Sequence, residues 1–307
     1  MKRRLDAAMK GISPALCVAL LLFALPVAAV PPLPPLPPLV DPAGETRLQG
    51  KFIWADLFSS DPETSRDFLV GLLGWEWRWV SMEKGRRYGL FYNEGSAVAG
   101  LAYHRRSDDP DPTYARWAYY VSVEDVDEVL ARAQTRGAEV LLPAREIADR
   151  GRFAILADTE QAPFGVLTSS SGDPGDFRAE PGEWLWHQLF TRDPGAATDF
   201  YQQLFGYALH APKDHPELVD HILASDGFAR AGIAQLAPDS ESLPQWLGLV
   251  RVADLQGTLA RVEALGGKVL LAPNTEVADG TVALVAGPLG APLGLVSRDD
   301  PQVEGGR

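Results

Sequence analysis

The segment FIWADLFSSDPETSRDFLVGLLGW, residues 52–75, returns as WLWHQLFTRDPGAATDFYQQLFGY, residues 184–207. Each copy reads as a strand followed by a helix. Asp61 and Asp193 stand where an N-cap acceptor is needed, and Pro62 and Pro194 follow at the first helical position, where a missing N–H is not felt. Ala197, Phe200, Tyr201, Leu204 and Phe205 keep helical spacing, matched by Ser65, Phe68, Leu69, Leu72 and Leu73. Gly74 and Gly206 fall at the helix ends, where a left-handed residue is wanted.

Working outward, the repetition continues in order. AVAGLA (97–102) matches ARAGIA (229–234), YVSVEDVDEVLARAQTRGAEVLLP (120–143) matches LVRVADLQGTLARVEALGGKVLLA (249–272), and APFGVLTS (162–169) matches APLGLVSR (291–298). Ordered blocks at a nearly constant offset indicate an internal duplication. Each copy reads as strand, helix, three strands, then a second helix from near Asp125 or Asp254 and further strands. The expected boundaries are an export signal at 1–29, a proline-rich linker at 30–48, a first module at 49–171, a linker at 172–182, a second module at 183–298 and a tail at 299–307.

The N-terminus carries MKRR, an apolar run ALCVALLLFAL (15–25) and small residues before a cut after Ala29. That is the pattern of a secretory signal, and the run is short for a membrane span of ~20 residues. A periplasmic or secreted location is expected, with an uncleaved N-terminal anchor as the alternative. Cys17 is the single cysteine and lies inside this segment, so a cleaved chain has neither a disulfide nor a thiolate site. PPLPPLPPL (31–39) reads as a stiff polyproline spacer. The net charge is −13 over 307 residues, and an acidic chain repels nucleic-acid phosphates and anionic lipid. Neither nucleic acid nor a membrane beyond such an anchor is an expected partner. No GxSxG, HExxH, GxGxxG or P-loop pattern occurs.

The strand, the "DP…A..FY..LFG" helix, the "V.D.…GG.VL" helix and the final "…FG…" strand together resemble the vicinal oxygen chelate superfamily, which includes glyoxalase I, bleomycin-resistance proteins and extradiol dioxygenases. The resemblance covers about residues 50–170 and 183–298. It implies an α+β fold of tandem βαβββ modules whose paired, curved mixed sheets form cups. The modules are expected to pair within the chain, as a monomer.

The resemblance also implies where metal ligands would sit. The first-strand position falls on Trp54 and Trp186. The strand after the hairpin, AVAGLAYH or ARAGIAQL, has no acid. The remaining positions fall on Ala118 and Leu247, and on Gly165 and Gly294. Metal catalysis needs about three protein ligands and an open position, and this count supplies none. No cofactor is therefore expected, and a divalent metal belongs to the alternative.

Side chains alternate along a strand. Trp54, Asp56 and Phe58 share the cup face in the first copy, with Tyr92 and Tyr120; Trp186, Gln188 and Phe190 share it in the second. His187 falls on the helix side, as either a packed histidine or a ligand. His210, His215 and His221 form a second candidate metal cluster in a proline-containing loop. The leading expectation is an exported, metal-free protein that sequesters a small, partly aromatic or cationic molecule in a tryptophan-rich cup. The alternative is a metal-dependent lyase, isomerase or dioxygenase. A third reading is an interaction protein with the proline-rich segment as its stalk.

Overall fold

The structure, a computed structural model, describes residues 35–83, 86–104, 114–212 and 219–297. The expected signal segment and His215 lie outside the described residues. The first copy contributes β1 (Phe52–Ser59), α1 (Pro62–Leu73), β2 (Glu76–Glu83), β3 (Arg86–Asn93), β4 (Ser96–Tyr103), β5 (Ala115–Ser122), α2 (Val126–Thr135), β6 (Glu139–Ile147), β7 (Gly151–Ala157) and β8 (Pro163–Ser169). The second copy repeats them as β9 (Trp184–Thr191), α3 (Pro194–Phe205), β10 (Ala208–His210), β11 (His221–Ser225), β12 (Phe228–Gln235), β13 (Gln245–Arg251), α4 (Leu255–Val262), β14 (Lys268–Leu271), β15 (Val282–Ala286) and β16 (Pro292–Val296).

Capping follows from residue chemistry. The Asp61 carboxylate accepts the Thr64 N–H at 3.1 Å and Asp193 accepts the Ala196 N–H at 2.9 Å. Gly74 and Gly206 both end their helices at φ 75°. Asp125 and Asp254 cap α2 and α4 in the same way.

Each copy closes its own eight-stranded mixed sheet, in the order β2-β3-β4-β1-β5-β8-β7-β6, and the second sheet has the same order. β1 runs parallel to β4 and antiparallel to β5, and β5 runs parallel to β8. Each module is thus two βαβββ units, β1–β4 and β5–β8, joined through the central β1–β5 pair. The described residues form four such units, and each cup is complete within one copy.

One face of each sheet enters a shared core. It takes Leu57, Phe68, Trp117 and Val129 from the first module and Leu189, Phe200, Tyr201 and Trp246 from the second. α1 meets α4, where Arg261 donates to the Leu72 carbonyl at 2.8 Å, and α2 meets α3, where Arg132 donates to the Leu204 carbonyl at 3.1 Å. A buried bond from Tyr201 to Asp158 at 2.9 Å also crosses the boundary. The helices are therefore the layer between the sheets, and the opposite face of each sheet lines a cup pointing away from that core.

The proline-rich linker requires a correction. From Leu36 onward it is not a free spacer. The Leu36 N–H donates to Ala148 at 3.2 Å, and the Leu39 and Val40 N–H groups donate to the Ser171 hydroxyl at 2.9 and 3.2 Å. Leu48 donates to the buried Asp173 carboxylate at 2.7 Å. Leu36 is buried in the apolar lining of the first cup. Proline's fixed φ suits an extended strap whose few N–H groups are spent on the module.

Candidate ligand-binding site

The two cups share a frame but differ in chemistry. In the first, the Asp56 Oδ1 accepts the Trp54 indole N–H at 2.9 Å and the Tyr88 hydroxyl at 2.8 Å. In the second, the Gln188 Oε1 accepts the Trp186 indole N–H at 3.1 Å. The duplication preserved a tryptophan that donates to the residue two places on, because both side chains rise from one strand face. Around Gln188 the apolar lining is Phe190, Leu236, Leu247, Leu271 and Leu284, with the buried Gln245 opposite Phe190 on the same face.

The first cup is lined by Trp54, Tyr120, Phe153, Ile155, Leu167 and Leu90, with Phe58, Tyr88 and Tyr92 packed at its edge. Arg150 enters from the turn before β7. Its guanidinium lies over the Trp54 ring, 4.0 Å from the centroid. The residue is 3% exposed, and none of its three side-chain nitrogens has a hydrogen-bond partner. The buried Tyr120 hydroxyl is turned toward the Asp56 carboxyl. Burial raises the Asp56 carboxyl above its ordinary range, against the lowering effect of the Trp54, Tyr88 and Tyr120 donors and the Arg150 charge. Burial also pulls the Arg150 guanidinium down, opposed by the surrounding tyrosines and Asp56.

The glycines explain how these groups fit. A Cβ on Gly100 would sit 2.1 Å from both the Asp56 Oδ1 and the Tyr88 hydroxyl, and one on Gly165 would sit 2.3 Å from the Tyr120 ring. Gly165 pairs with Tyr120 and Gly294 with Leu249. The positions where the superfamily resemblance implies a carboxylate are therefore taken up by the neighbouring strand's side chain.

The expected site residues divide accordingly. Trp54, Asp56, Phe58, Tyr92 and Tyr120 are brought together, with Tyr92 at the rim under Arg78, 4.3 Å from its ring. Trp186, Gln188 and Phe190 line the second cup instead. His187 sits between the modules, stacked on Phe52 at 4.2 Å and edge-on to Tyr119 at 5.0 Å, and burial lowers its pKa to about 3. His210 is exposed on β10 and His221 is half-buried at the start of β11. Among the described residues no three His, Cys, Asp or Glu side chains converge. A divalent ion does not fit the first cup, whose one carboxylate faces a guanidinium.

Sequence reasoning missed Tyr88, Arg150 and Leu36. Tyr88 was legible, since it lies two residues before Leu90 and four before Tyr92 on one strand face. Arg150 left no periodic signal, because it lies in a turn.

Two eight-stranded mixed sheets with helices between them, each with an aromatic-walled cup on its outer face, define an α+β protein of tandem modules. The chain belongs to the Glyoxalase/Bleomycin resistance protein/Dioxygenase superfamily, whose model matches residues 51–168 and 185–294. It is 31% identical over 226 residues to the anthracycline biosynthesis protein DnrV of Streptomyces peucetius, covering 70% of this chain and 82% of that one. It is 27% identical over 245 residues to the putative glyoxylase CFP32 of Mycobacterium tuberculosis, covering 79% and 93%. The Mn(II)-bound glyoxalase from Novosphingobium aromaticivorans shares the fold at a TM-score of 0.55 and 16% identity, over 83% of this chain and 85% of that one. A variant of homoprotocatechuate 2,3-dioxygenase from B. fuscum does so at 0.54 and 14%, over 87% and 76%.

Proposed function

We propose that the protein is an exported, metal-independent member of the superfamily that binds a small molecule in the first cup. The observation that carries this reading is the difference between the two cups. Both keep the tryptophan frame, but among the described residues the first alone sets against it a buried guanidinium whose bonding capacity is unspent, that of Arg150. Such groups are costly to keep in a fold unless something pairs with them. The relatives' names, an anthracycline biosynthesis protein and a putative glyoxylase, agree with a small molecule as the ligand. Export rests on the MKRR and apolar N-terminal pattern.

The test is a thermal-stability screen of a diverse small-molecule library, with metal content measured on protein purified without chelators. A ligand that binds the folded state raises the melting temperature. The expected result is a stabilising compound whose effect is lost in Tyr88→Phe but kept in Gln188→Ala, with metal far below one equivalent. Stoichiometric transition metal, or stabilisation lost only in Gln188→Ala, would refute it.

A further inference from the structure

We propose that the first cup takes a flat aromatic carboxylate, with Arg150 as its anchor and the Leu36 strap as its removable cap. This rests on the reading of that cup as the binding site.

The unspent groups set the ligand's polarity. Arg150 presents only donors, and all three of its nitrogens are unspent. Trp54 and Tyr88 have already committed their donors to Asp56. A partner must therefore bring acceptors. The Arg150 nitrogens make no hydrogen bond to Asp56, although the two residues share the cup, so a negative group can still join the guanidinium. A planar carboxylate matches its two-pronged donor edge. One guanidinium opposite one carboxyl suits a single negative charge; a dianionic phosphate would face Asp56 as well. A cationic ligand would approach a buried cation. The walls require a ring: Trp54, Tyr120 and Phe153 are buried there, with Tyr120 edge-on to Phe153 at 6.1 Å.

Local backbone chemistry holds Arg150 in place. Its N–H donates to Ile147 at 3.2 Å and its carbonyl accepts the Ser170 N–H at 3.0 Å. Gly151 follows at φ 116°, where a Cβ would sit 2.1 Å from the Thr168 carbonyl, so only glycine allows this turn.

The same turn carries the cap. Leu36 is bonded to Ala148, two residues before Arg150, and packs in the cluster that contains Trp54. With the strap in place the guanidinium nitrogens have no accessible surface. Asp56, Phe58 and Tyr88 remain partly accessible. A ligand can therefore seat its ring at the open side and reach Arg150 once Leu36 moves.

The test is calorimetric titration of the full chain with benzoate, 2-naphthoate and anthracene-2-carboxylate, each beside its primary amide and its aminomethyl analogue. The expected result is that at least one acid binds tenfold or more tighter than its amide and amine. Arg150→Gln should reduce that preference below twofold, and Leu36→Ser should tighten acid binding severalfold. Amides or amines that bind as well as the acids, with binding lost in Tyr88→Phe, would overturn the carboxylate assignment and leave the cup reading intact. An acid preference that survives in Arg150→Gln would overturn the anchor. Acids that bind with Leu36→Ser having no effect would overturn the cap. If no probe binds and the library's stabilising compounds are insensitive to Tyr88→Phe, the cup reading itself falls.

Discussion

Replacing Arg150 by methionine is expected to make the unliganded protein more stable. Methionine keeps much of the stem volume and removes the charged head. Three unpartnered, inaccessible guanidinium nitrogens are relieved, and each buried donor left unpaired costs about 1–3 kcal/mol. Against this stand the lost cation–π contact with Trp54, about 2 kcal/mol when desolvated, and the lost attraction to Asp56. The three unpaired donors outweigh the lost ring contact, and the balance is a gain of roughly 1 kcal/mol or more. In a chain of this size about 1 kcal/mol moves the melting temperature by roughly 2–4 °C. The assay is urea or thermal unfolding of wild type and Arg150→Met at equal pH, followed by circular dichroism. A stability equal to or below wild type would refute the reasoning, because it would mean that the guanidinium has partners in the folded state. A saturating aromatic carboxylate should reverse the order, since only the wild type gains from the pairing. Such a reversal is the pattern expected of a site whose function costs stability.

Three further outcomes follow from the geometry. His187, with a folded pKa of about 3 against an ordinary 6.5, takes up its proton later than in the unfolded chain. The unfolded state then binds more protons between those values, so stability falls with falling pH by about 1.4 kcal/mol per unit. His187→Phe, still stacked on Phe52, should remove about one proton's worth of that slope in unfolding measured from pH 6.5 down to 4. Asp56 has the opposite sign: its raised pKa means that the folded state holds the proton more tightly, so its contribution is fully present below 3.8 and declines as pH rises through the raised value. Asp56→Asn should flatten that decline, and an unchanged stability–pH curve would count against the buried carboxyl. Gly165→Ala should destabilise the fold by about 1–3 kcal/mol in denaturant titration, because its Cβ collides with the Tyr120 ring in a packed strand pair; a neutral result would show that Tyr120 is free to move.

The sequence by itself determined the elements and their order. The caps at Asp61 and Asp193, the αL glycines and the apolar helix spacing are local rules, and each acts within a few residues. Strand alternation likewise placed Trp54, Asp56 and Phe58 on one face and Leu57 on the other. The repeated blocks revealed the duplication without any contact being known. Tertiary structure decided what these faces meet. Each copy's second βαβββ unit completes the sheet of its first, so β1 pairs with the distant β5, Trp54 opposite Tyr120, a contact no periodicity records. Which cup carries a buried guanidinium depended on Arg150, a turn residue placed by a left-handed glycine and by the distant Ser170 N–H. The proline-rich segment read as a spacer because prolines cannot join a sheet. From Leu36 on it is a strap on the module because Ser171 and Ala148, far along the chain, accept the N–H groups of Leu36, Leu39 and Val40. Hydrogen-bond capacity is written in each residue type, but whether it is spent depends on what the fold brings within about 3 Å.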